Sequence, residues 1–122
     1  MDRNCTANSE EGYADSIFKT VKTRFAAKGV PLFMGEYATN YHAPRLRSSP
    51  PDSVLSVRSA THFTAYIAQQ AKANGVIPYL WAGVFNRPSG AAAYVGDQVT
   101  LDSIKVAVNR GIAAYGQGTP FK

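Results

Sequence analysis

The residue with the clearest chemical potential is Glu36. It follows Gly35 near the end of an apolar run, Val30-Pro31-Leu32-Phe33-Met34-Gly35-Glu36-Tyr37. A carboxylate inside such a run is costly to bury without a partner. Two readings meet that need: a structural pairing with Arg or Tyr, or a catalytic or binding role. A second apolar run, Val76-Ile77-Pro78-Tyr79-Leu80-Trp81-Ala82-Gly83, carries the single tryptophan, Trp81, at the equivalent point. That residue reads either as a core aromatic or as a stacking platform. An indole face packs well on the C–H-rich face of a sugar ring, and its N–H donates to a hydroxyl. Tyr37, Asn40, Tyr41, His42 and Asn86 lie close in sequence to the two runs and could contact hydroxyl groups of a ligand. Asp52, Asp97 and Asp102 are further carboxylates by type, but Asp97 and Asp102 sit near an expected helix N-terminus. There the helix dipole favours the ionised form and opposes proton donation. His42 and His62 without a third ligand do not make a zinc site. Cys5 is the only cysteine, which excludes an intramolecular disulfide and a cysteine-based metal site. No metal and no cofactor are expected.

The elements that must position these groups alternate. Tyr13, Ile17, Phe18, Val21 and Phe25 share a helical face, predicting a helix over Gly12–Lys28, with Asn8 and Glu11 in capping-box spacing. Lys28-Gly29 is a stop signal. The first apolar run then reads as a strand buried on both faces, as in a parallel sheet. Residues 38–57, rich in Pro, Ser and Arg, read as a long loop of the kind that is often functional. A second helix is predicted from Ser56 or Val57 to Asn74, with Ala60, Phe63, Ile67 and Ala71 inward. Asn74-Gly75 ends it, and the second strand follows. Another loop runs from Val84 to about Val99. A third helix opens at Thr100 as N-cap, with Leu101, Ile104, Val108 and Ile112 inward. Ala27-Lys28-Gly29-Val30-Pro31 and Ala73-Asn74-Gly75-Val76-Ile77-Pro78 form a weak repeat at the helix-to-strand junctions. The order helix–strand–helix–strand–helix, with long loops after the strands, suits an α/β fold with parallel strands: part of a (β/α)8 TIM barrel. A doubly wound sheet shares much of the pattern, but neither strand is followed by a glycine-rich phosphate loop.

The 122 residues suffice for one domain, read here as 1–122 with flexible ends at 1–11 and 115–122. A complete barrel takes roughly 250 residues, so the chain is expected to be part of one. With 45% hydrophobic and 17% charged residues, the composition is globular. The net charge of +5 comes from scattered bases without a nucleic-acid-binding motif, so no nucleic-acid partner is expected. No apolar run approaches the ~20 residues of a membrane span. The N-terminal residues carry no apolar signal core and leave the compartment open.

The first run, from Lys28 to Tyr37, resembles the seventh-strand motif of glycoside hydrolase family 5, an apolar strand ending in Gly-Glu-aromatic. The stretch from Asn74 to Trp81 resembles the eighth strand. Phe85-Asn86-Arg87 and Gly96-Asp97-Gln98-Val99-Thr100-Leu101 resemble the segments that follow in bacterial endoglucanases of that family. The likeness runs from about Gly12 to Val108. It implies the C-terminal portion of a secreted or periplasmic enzyme that hydrolyses β-1,4-glucan with retention, with Glu36 as nucleophile and Trp81 lining the subsite beside the cleaved bond. It also implies an acid/base glutamate on a fourth strand, which has no counterpart here. Ala38 stands where relatives often have Gly, and Ala82 where they often have an acid. The alternative is a non-catalytic carbohydrate-binding or inactive barrel fragment. Expected partners are a β-glucan, and either another copy of the chain or a complementary barrel fragment.

Overall fold

The computed structural model describes residues 10–38, 50–81, 85–86, 94–95 and 97–116, with side chains for 11–38, 58–81 and 97–115. Helix α1 spans Glu10–Arg24 and runs into a short 3-10 turn at Ala26–Lys28. Strand β1 is Leu32–Tyr37, helix α2 is Pro50–Ala73 and strand β2 is Val76–Leu80. Two-residue strands β3 (Phe85–Asn86) and β4 (Tyr94–Val95) pair antiparallel ahead of α3, Gln98–Gly116. β1 and β2 pair in parallel, with α2 as the crossover between them. The chain is therefore an α/β fold built around one β–α–β unit.

Both helix-to-strand junctions stop as the repeat predicts. Gly29 and Gly75 adopt φ of 79° and 76°, a left-handed conformation that residues with a Cβ rarely take. The glycine N–H groups donate back to the Ala26 and Lys72 carbonyls. A Cβ on Gly75 would also come within 3.0 Å of Ala26 Cβ.

Two helix starts differ from the sequence reading. α2 begins at Pro50, inside the stretch expected to be loop. Proline lacks only an N–H that the first helical turn leaves unpaired anyway, and its fixed φ suits the position. α3 is capped by Asp97 and not by Thr100: the Thr100 N–H donates to Asp97 Oδ1 at 2.9 Å. Thr100 is buried instead, with its hydroxyl 3.0 Å from that of Thr61 on α2. The loop before α3 also contains the β3–β4 pair, which sequence reading did not resolve. Asn8 of the expected capping box lies outside the described residues.

One small core lies on one side of the sheet. Phe18 of α1, Ile67 and Ala71 of α2, and Val76 of β2 form its centre, with Leu32, Met34, Tyr37 and Phe63 packed around them. α3 lies close along α2. A Cβ on Gly111 would sit 2.4 Å from the Gln69 carbonyl oxygen, so only glycine permits that approach. Ile112, expected inward, is 50% exposed. α1 meets α2 through a polar cluster. Glu11 is buried, with one oxygen 3.5 Å from His62 Nε2 and the other without a hydrogen-bond partner. Tyr66 donates to the Asp15 carboxylate beside it.

Candidate active site at the strand ends

The parallel register pairs Leu32 with Val76, Phe33 with Ile77 and Met34 with Pro78, then breaks and resumes with Tyr37 opposite Leu80. Gly35 and Glu36 together therefore oppose Tyr79 alone, a β-bulge. Beyond it, the Trp81 N–H donates to the Tyr37 carbonyl at 2.9 Å. That bond brings the ends of the two strands together, so Glu36 and Trp81 occupy neighbouring strands at the same end of the sheet.

The two faces of the sheet differ sharply. Leu32, Met34, Tyr37 and Val76 pack toward the helices. Phe33, Ile77, Tyr79 and Trp81 are 60%, 41%, 53% and 61% exposed, and Glu36 is exposed with them. The Phe33 and Tyr79 rings stack across the strand pair with centroids 6.2 Å apart. Among the described residues no hydrogen bond or ion pair engages the Glu36 carboxylate. The other described carboxylates are committed on the helices: Glu11 to His62, Asp15 to Tyr66, Asp97 to the start of α3, and Asp102 to Gln98 with Lys105 beside it. Glu36 thus presents an exposed carboxylate beside the exposed aromatic rings. Tyr37 lies half-buried on the opposite side, and burial pushes its hydroxyl from the usual 10.0 up to about 12.

Asn40, Tyr41 and His42 lie outside the described residues. Asn86 is placed in β3, paired with Tyr94. His62 is on α2, away from Glu36 in the fold, and serves the α1–α2 contact. Phe33 and Tyr79 were missed from sequence. The signal was there: Ile77, Tyr79 and Trp81 recur with the two-residue period of one strand face. The larger described hollows lie elsewhere. One of about 650 Å³ runs between α2 and α3 beside Arg58, His62 and Arg110. One of about 540 Å³ sits at the strands' N-terminal ends beside Pro31, Ile77 and Tyr115. Glu36 and Trp81 line neither of these. No group of three or more metal-ligating side chains occurs among the described residues, and no described helix is long and apolar enough to cross a membrane.

Over 105 residues the chain is 30% identical to endoglucanase A of Paenibacillus barcinonensis. The match takes in 84% of this chain and 24% of that protein, so the chain spans about a quarter of the relative's length. No family profile matches the chain. The likeness is distant and partial, and it is to an endoglucanase.

Proposed function

We propose that the chain is a segment of a retaining β-1,4-glucanase of the family 5 type, carrying its seventh and eighth barrel strands, with Glu36 as nucleophile. The observation that carries this reading is the placement of Glu36 and Trp81 at one end of two parallel strands, on the face away from the helices. In a βα barrel that end of the strands holds the catalytic groups. The distant likeness to an endoglucanase supports it.

In this reading Trp81 stacks on a glucose ring, and the Glu36 carboxylate attacks the anomeric carbon. The C–O bond to the leaving sugar breaks as a second carboxyl group protonates its oxygen, leaving a glycosyl ester on Glu36. Water, deprotonated by that second group, then hydrolyses the ester. The two groups must stand about 5–5.5 Å apart. The other described carboxylates are engaged on the helices, and the side chain of Asp52 lies outside the described residues; the second group is proposed to come from a complementary barrel segment or another copy of the chain. Asn40, Tyr41, His42 and Asn86 are proposed to meet sugar hydroxyls.

The test is reducing-sugar release from carboxymethyl cellulose by the chain and by Glu36→Gln. Release abolished by the substitution supports the reading. Release untouched by it refutes Glu36 as nucleophile. The exposure of Trp81 also favours a second reading, glucan binding without cleavage, marked by retention on cellulose with no sugar released.

A further inference from the structure

Side chains of a regular strand alternate between faces. With Leu32 and Met34 directed to the helices, strict alternation would send Glu36 inward and Tyr37 outward. The structure has the reverse, because Gly35 and Glu36 share one partner, Tyr79. One extra residue shifts every later side chain to the other face. Bulges are rare in parallel pairs, so this one needs a cause. Space around Gly35 is not it, since a Cβ there would meet nothing within 4 Å. The cause is the polarity of the next two residues. An inward Glu36 would bury a carboxylate among Phe18, Ile67 and Ala71, whereas an inward Tyr37 buries an aromatic ring there.

We infer that Tyr37 is a positioning residue: its ring, anchored in the core, holds the bulge that turns Glu36 onto the open face, and its carbonyl ties down Trp81. The two tasks belong to one residue, so loss of the anchor disturbs both site groups together. The functional meaning rests on the reading of Glu36 as the working carboxylate. The geometry can be tested without it.

A thiol accepts either face, so it reports which way position 36 points. In the chain carrying Cys5→Ser and Glu36→Cys, alkylation at position 36 should be within about threefold of a free thiol. Adding Tyr37→Phe should leave the rate unchanged. Adding Tyr37→Ser should slow it at least tenfold while the helical circular dichroism is kept, because the strand regularises and the thiol turns inward. Slow alkylation in the Tyr37 parent, or an unchanged rate with Tyr37→Ser in a folded chain, overturns the inference. Should Tyr37→Ser unfold the chain, Tyr37→Leu decides. An apolar anchor should preserve fast alkylation and slow amide exchange at Trp81, and loss of either overturns it. Absence of glucan turnover bears on the proposed function alone, since no arm of this test reads catalysis.

Discussion

Trp81 and Glu36 are held differently. The tryptophan is fixed through its backbone by the bond to the Tyr37 carbonyl, which leaves its indole free at 61% exposure. On the proposed reading, Trp81→Ala should therefore remove a sugar-stacking surface without loosening the strand pair. Calorimetric titration with a β-1,4-glucose oligomer should show affinity falling about tenfold, the equivalent of about 1.4 kcal/mol, at unchanged melting temperature. Tyr37 predicts a pH effect. Its hydroxyl stays protonated in the folded chain to about 12, against 10.0 for the free group. The folded state thus binds the proton more tightly, and stability is full below pH 10 and lost as pH rises from 10 toward 12. Melting temperature followed across that window should fall, and Tyr37→Phe should flatten that part of the fall. The strand-end positions of Glu36 and Trp81 were legible in the sequence because each ends an apolar run where little else is polar or large. The bulge beside them was not. Its cause is a choice between two neighbouring side chains that only a core on one side of the sheet decides.

Among the elements, stop signals were legible and starts were not. Gly29 and Gly75 end their segments because the left-handed conformation needed there excludes most other residues. Pro50 and Pro51 read as loop because proline breaks a helix interior, yet in the first turn it costs no hydrogen bond. Thr100 and Asp97 are both plausible caps by type, and packing separates them: Thr100 is buried against Thr61, while Asp97 reaches the helix end. Gly111 shows what periodicity cannot see. As a glycine inside a helix it lowers intrinsic propensity, whereas it is the close contact with α2. Gly111→Ala improves intrinsic helix propensity by up to about 1 kcal/mol. The Cβ, however, would lie 2.4 Å from a backbone oxygen that cannot swing aside. Overpacking of this kind costs about 1–3 kcal/mol, so the net effect is destabilising. Urea unfolding should show a lower midpoint, and an unchanged or raised midpoint would mean that α3 does not pack on α2 in this way.

At the scale of the whole molecule the open face is the governing fact. Parallel sheets are ordinarily covered on both sides, whereas here the side away from the helices exposes Phe33, Ile77, Tyr79 and Trp81 in one patch. Among the described residues β1 and β2 pair only with each other, and an unpaired strand edge can template another strand. The parallel order of the two strands was visible in the sequence as two near-continuous apolar runs. The exposure of one face was not, because such runs read as strands buried on both sides. Water is a poor neighbour for such a surface, and burying its aromatic rings would stabilise any association by roughly 25 cal/mol per Å². The chain in isolation is therefore predicted to self-associate through this face. Sedimentation velocity should show an average mass that rises with concentration. Tyr79→Lys, which puts a charge at the centre of the patch opposite Glu36, should shift the distribution toward monomer while the helical signal persists. A folded monomer at every concentration would show that the face is stable in water and would overturn the predicted self-association.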